Sequence, residues 1–125
     1  MSAIIIGLVA GIVCYLAVLV KPKLGYDDSL DVVGVHCVGG IVGAMLTGLF
    51  ATKLVNSAGG DGLFFGNPGQ LWIQALAVGV TLVYSFVVSF ILFKILDVTM
   101  GLRVTAEDEV VGLDTTEHSE TGYSL

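Results

Sequence analysis

His36 sits in an otherwise uncharged, glycine-studded run covering residues 32–52. A titratable side chain at membrane depth is costly, and where one occurs it ordinarily marks a path for a substrate, an ion or a proton. Asp28 and Asp31 precede it by eight and five residues, just ahead of the apolar run. Carboxylates in that place accept the orphan backbone N–H groups of a helix N-terminus and oppose the positive end of its dipole. At helical rise His36 then lies about 12 Å beyond Asp28, in the hydrocarbon zone. Both ring nitrogens need partners there. Cys37 and Ser29 are poor ones, so another helix has to supply them. Desolvation favours the neutral imidazole, which suits passage of a neutral or transiently neutral polar solute. The plainer alternative is a packed histidine bonded to a backbone carbonyl.

The elements that must place these residues are apolar enough to cross a bilayer. Of 125 residues, 55% are hydrophobic and only 13% charged, against about 25% charged in a soluble domain. Three stretches account for the deficit, about 3–20, 32–54 and 71–99. A span needs roughly 20 mostly apolar residues to cross a core of about 30 Å. The third exceeds that length and is expected to tilt or to extend beyond the bilayer, with Lys94 snorkelling to the headgroups. The first lacks the basic leader and the small-residue cleavage site of a signal peptide, and reads as a span that ends at a Lys21-Pro22-Lys23 turn. Lys21 and Lys23 lie in the first loop, and Lys94 and Arg103 flank the end of the third span. Placing these on the cytoplasmic side leaves Lys53 alone of the five basic residues outside, as the positive-inside rule prefers. The N-terminus is then exterior and the C-terminus cytoplasmic, an arrangement that leads us to expect further helices upstream.

The net charge of −6 is concentrated in the tail, where Glu107, Asp108, Glu109, Asp114, Glu117 and Glu120 lie. Nucleic acid needs a basic face and is excluded as a partner. The tail reads as a solvated segment, disordered or docked on something. Cys14 and Cys37 fall within predicted spans and read as small hydrophobes. No cluster of His and Cys has metal-ligand spacing. No nucleophile–base pair or phosphate loop points to an enzyme, and no cofactor is implied.

Glycines are dense in the first two spans: Gly7 and Gly11 in one, Gly34, Gly39, Gly40, Gly43 and Gly48 in the other. In lipid, helices associate by close packing that small residues permit, so these positions are read as helix packing and the second span as a helix inside a bundle. Residues 56–70 are rich in Gly, Asn and Pro and read as an irregular exterior loop, with Phe64, Phe65 and Trp72 as interfacial anchors.

Residues 28–40, Asp-Ser-Leu-Asp-Val-Val-Gly-Val-His-Cys-Val-Gly-Gly, resemble the Asp-x-x-Asp-x-x-Gly-Val-His-Gly-x-x-Gly signature of ammonium transporters, the Amt/Mep/Rh superfamily. The tail resembles that family's C-terminal region at Gly101-Leu102-Arg103-Val104, at Glu107 and Glu109, at Gly112-Leu113-Asp114, and at His118-Ser119-Glu120 with Tyr123. The resemblance implies an all-α polytopic membrane protein, here the last three of about eleven spanning helices, each of membrane-crossing length, followed by an acidic cytoplasmic tail over residues 101–125. It implies a plasma-membrane, multi-pass location, ammonium or ammonia as substrate, a homotrimer, and a PII-type signalling protein as a possible partner. His36 matches the second of two pore histidines that share a hydrogen bond along a hydrophobic path. In the family, ammonium is deprotonated at an external vestibule and ammonia passes the histidines. In many members the proton crosses as well.

The resemblance further implies that Asp28 and Asp31 support the pore from the start of their helix. Gly101 and Arg103 match the hinge into the tail, and Asp114, Thr116 and His118 match its regulatory part. Cys37 and Ser119 stand where the family usually has glycine, and Thr116 aligns with a threonine phosphorylated in plant relatives. The partner histidine and the phenylalanine gate belong to earlier helices, so these residues are not expected to conduct alone. The competing reading is a membrane-anchored interaction module whose acidic tail binds a PII-type regulator or a parent transporter. An unrelated three-helix membrane subunit would not share both motifs.

Overall fold

A computed structural model describes residues 1–122. Tyr123, part of the tail motif, lies outside the described residues. Among those described there are helices and no strands. Three helices are long and apolar enough to cross a membrane. Contacts divide the chain into two units, Met1–Val83 and Tyr84–Leu125.

In the first unit, helix α1 (Ser2–Leu24) is built mostly from Ile, Leu, Val and Ala, with its charged residues, Lys21 and Lys23, confined to the last turn. Such a segment satisfies its own N–H and C=O groups only as a helix when water is absent. It does not stop at Lys21. Pro22 lies inside the last turn, where its ring removes one bond, the one to the Val18 carbonyl. The helix closes instead at Gly25, whose φ of 66° is left-handed and whose N–H donates to the Lys21 carbonyl. The expected Lys21-Pro22-Lys23 turn is therefore corrected to a proline-containing helix end with a glycine cap.

A π-helical turn (Val33–Cys37) leads directly into helix α2 (Val38–Phe50). The second apolar run was expected to stay helical to about residue 54, and it ends at Phe50. Ala51 turns extended, at φ −59° and ψ 143°. The loop then folds back: Gly62 donates its N–H to the Ala51 carbonyl at 2.7 Å, and Asp61 Oδ1 accepts from the Lys53 N–H at 2.8 Å. These bonds satisfy groups at the end of α2 that a longer helix would have used. A 3₁₀ turn (Leu63–Phe65) follows, with Phe64 edge-on to Phe50 at 5.1 Å between ring centroids. Helix α3 (Pro68–Thr99) has 32 residues, about 48 Å at helical rise, and runs on into the second unit.

The interior of the first unit is made of backbone. Among the described residues only Gly34, Gly48 and Gly62 are buried, and no apolar side chain is. A β-carbon on Gly34 would lie 2.9 Å from Val18 Cγ2 and 3.3 Å from the Val18 nitrogen. On Gly39 it would meet Cys14 Sγ at 2.9 Å, and on Gly48 the Leu71 Cα at 3.2 Å. Close approach at small residues is how helices associate where apolar side chains gain nothing by leaving the solvent. Among the described residues, neither Gly40 nor Gly43 has a neighbour within 4 Å of its β position, nor do Gly7 and Gly11. The β positions of Gly34 and Gly39, by contrast, meet residues of α1.

In the second unit, α3 continues from Tyr84 with Phe86 and Phe90 stacked at 6.2 Å and Lys94 paired with Asp97 at 3.7 Å. Gly101, at φ 78°, ends it. Two short helices follow, α4 (Ala106–Val111) and α5 (Leu113–Thr116).

Gly62 is the tightest of the glycines against backbone, its β position 2.7 Å from both the Gly48 and Leu49 carbonyl oxygens. Carbonyls at a helix end cannot swing aside as a flexible side chain can. Gly62→Ala is expected to cost about 1–3 kcal/mol, as overpacking does, and to lower the thermal midpoint in detergent. An unchanged midpoint would contradict this approach of the loop to α2.

Candidate functional site

The turn that carries His36 is assembled from its first residue. The Asp28 carboxylate accepts the Val32 N–H at 2.8 Å on one oxygen and the Val33 N–H at 2.9 Å on the other. It thereby satisfies two of the donors that a helix start leaves without partners. Asp31 was expected to share this capping work and does something else. Its φ of 56° is left-handed, a conformation that Asp tolerates better than most non-glycine residues. From there its N–H donates to the Asp28 carbonyl at 3.2 Å and its own carbonyl accepts the Val35 N–H at 2.9 Å. Its carboxylate is ion-paired with Lys21 Nζ, which also donates to the Asp28 carbonyl at 2.8 Å. Charge and dipole explain cap residues well, but they say nothing of which carboxylate a lysine on another helix will claim.

Val38 N–H then donates to the Val33 carbonyl, five residues back, which makes the turn π-helical. Such single turns insert one residue into a helix and recur at functional sites. Gly34 faces α1 at Val18, and His36, two residues on, lies on the opposite side of the helix and is exposed. Among the described residues it makes no hydrogen bond. Cys37 is exposed as well and does not crowd the α1 contact. Cys14, read from sequence as a small hydrophobe, donates its thiol to the Val35 carbonyl at 3.6 Å. Lys21 and Cys14 are the residues that sequence reasoning missed. Their signal was spacing: Cys14 stands four residues before Val18 and Lys21 three after it, one face of a helix.

The second cluster lies in the tail, which is folded by its own contacts rather than merely solvated. Arg103 donates to Glu109 through Nε at 2.7 Å and through Nη2 at 3.1 Å. This fork holds the Glu109 carboxyl below its ordinary value of 4.5. Thr105 caps α4, its hydroxyl oxygen accepting from the Asp108 N–H at 3.2 Å. Asp114 accepts the Gly122 N–H at 2.8 Å and the Thr115 N–H at 2.9 Å, and these bonds hold its carboxyl below 3.8. The Thr116 hydroxyl donates back to the Gly112 carbonyl at 3.1 Å. His118 is exposed. Ser119 is left-handed at φ 53°. The expected hinge falls where Gly101 is left-handed and Arg103 reaches forward to α4.

Three helices long and apolar enough to cross a membrane, with a glycine-packed turn and an acidic tail, are the pattern of a polytopic membrane protein. Comparison with known proteins specifies the type. The chain matches the Ammonium Transporter Family over residues 1–123. It is 48% identical to an ammonium transporter of Bacillus subtilis over 98% of this chain and 30% of that protein. It is 50% identical to one of Mycobacterium bovis over all of this chain and 28% of that protein. It is 48% identical to Ammonium transporter Amt1 of Archaeoglobus fulgidus over 98% of this chain and 31% of that protein. The chain belongs to the ammonium transporter family, and it spans under a third of the length of these curated relatives. They are named as transporters, not as enzymes.

The tail contacts carry a defined pH dependence. Both Glu109 and Asp114 have lowered values when folded. Their contribution is therefore complete above the ordinary carboxylate range and is lost as pH falls through the depressed values. The Gly122 amide resonance is expected to hold steady from neutrality into the acid range and to move with a midpoint below 3.8, the ordinary value for Asp114. Movement near neutrality would rule out the Asp114 contact as the cause. Ser119→Gly should relieve the left-handed cost by about 1 kcal/mol. The amide of Glu120, which donates to the Asp114 carbonyl, should then exchange with solvent severalfold more slowly.

Proposed function

We propose that this chain serves in transmembrane movement of ammonium or ammonia, as the C-terminal portion of a transporter whose remaining helices complete the path. His36 is the second pore histidine in this reading, and its hydrogen-bond partner stands on a helix outside these residues. Asp28 and Asp31 hold the cytoplasmic start of its helix. The observation that supports this most is the orientation of the His36 turn. Its glycine face is occupied by α1, and the imidazole is exposed on the other face, open to a partner from another element.

The open faces at Gly40 and Gly43 fit neighbours in a larger bundle. In the membrane, the protein is multi-pass in the plasma membrane with a cytoplasmic C-terminus, because that orientation keeps Lys21, Lys23, Lys94 and Arg103 inside. The complete protein is a homotrimer. The tail, with Gly101 and Arg103 at its hinge, is a regulatory segment suited to a PII-type partner. Support for that role comes from α4 and α5, short helices that carry Glu107, Asp108, Glu109 and Asp114.

The test is His36→Ala in the full-length transporter, reconstituted in vesicles and assayed with methylammonium as the transported probe. Uptake should fall by about tenfold or more, or proton coupling should change, as loss of a proton-handling group requires. Unchanged uptake together with unchanged proton coupling would sink the assignment.

A further inference from the structure

We infer that helix α1 is the positioning element of His36, acting through Lys21 below the turn and Cys14 above it; the functional weight of this rests on the reading of His36 just given. One face of α1 grips the turn at three levels. Lys21 binds the Asp28 carbonyl and the Asp31 carboxylate. Val18 receives Gly34 against its backbone nitrogen. Cys14 donates to the Val35 carbonyl and lies 2.9 Å from the β position of Gly39. The backbone is therefore held immediately before His36, at Val35, and again shortly after it, at Gly39.

The reason such a grip matters lies in the two ways this segment can wind. The observed turn begins from a left-handed Asp31 and closes a five-residue bond between Val33 and Val38. An ordinary α-turn over the same residues differs by one residue of register, which rotates every later side chain by about 100°. Neither a left-handed aspartate nor a π-turn is favoured by its own local energetics. Lys21 offsets the first by giving the Asp31 carboxylate a counter-charge only where the left-handed backbone places it. Cys14 offsets the second by giving the Val35 carbonyl a donor from outside its own helix. Removing either contact releases the turn toward ordinary winding and swings the imidazole away from its partner.

The experiment uses the full-length transporter in lipid nanodiscs with ¹⁵N-labelled histidine, the His36 signal being assigned by its loss in His36→Ala. Four variants are compared: Lys21→Gln and Cys14→Ala, which remove the contacts, and Lys21→Arg and Cys14→Ser, which keep a donor. The first pair should shift the His36 imidazole resonances and lower the maximal methylammonium uptake rate about tenfold, with half-saturation changed by less than about twofold. The second pair should return both readouts toward the parent. Should Lys21→Gln fail to accumulate in the membrane, Cys14→Ala decides, since it leaves the whole Asp28–Asp31–Lys21 cluster in place. Unmoved resonances in the contact-removing variants, whatever the uptake, overturn the inference. Shifted resonances with uptake that His36→Ala also leaves unchanged uphold the positioning and reject the conduction role of His36.

Discussion

The second membrane helix begins where a single carboxylate makes it possible. A helix start exposes N–H groups that water would otherwise take, and toward the hydrocarbon core no water is there to take them. Asp28 accepts two of them, and every later feature of the segment follows from where those two bonds place Val32 and Val33. The carboxylate is itself acceptor-rich and negatively charged, so a second one at Asp31 would repel it in the absence of a cation. Lys21 supplies that cation from the last turn of α1. The helix end, the cap and the left-handed aspartate are one arrangement seen from three sides.

Close packing in this chain follows the same economy. With apolar side chains already in an apolar solvent, burial offers no gain, and among the described residues the buried positions are the three at which backbones come close: Gly34, Gly48 and Gly62. Each ties a different pair of elements, α1 to the π-turn, α2 to α3, and the loop to the end of α2. Large exposed side chains such as Phe86 and Trp72 are then expected of a membrane surface rather than a sign of poor folding.

Much of the fold was legible in the sequence because hydropathy over twenty residues is a strong, local signal. Helix existence and type, the irregular loop and the acidic tail all carry it. The helix ends did not. Phe50 rather than residue 54 ends α2 because Asp61 and Gly62, eight or more residues later, compete for the backbone groups of Ala51 and Lys53. Pro22 was read by its usual effect, yet near a helix end it removes one bond and breaks nothing. The site divided in the same way. His36 and Asp28 stood out through residue type against background. The exchange of roles between Asp28 and Asp31, and the parts of Lys21 and Cys14, depend on a partner helix that no local pattern encodes. The tail was underestimated because its stability comes from pairs such as Arg103 with Glu109, six residues apart, which composition alone reads as solvated charge.

Two departures from the family pattern differ in kind once their surroundings are known. Ser119 occupies a left-handed position, where glycine is the residue with no steric cost, so the family's preference there has a backbone reason and this chain bears a local penalty for departing from it. Cys37 follows His36 in right-handed backbone, with φ of −68°, and its side chain is exposed. Glycine is not required there by conformation, nor by contact with α1.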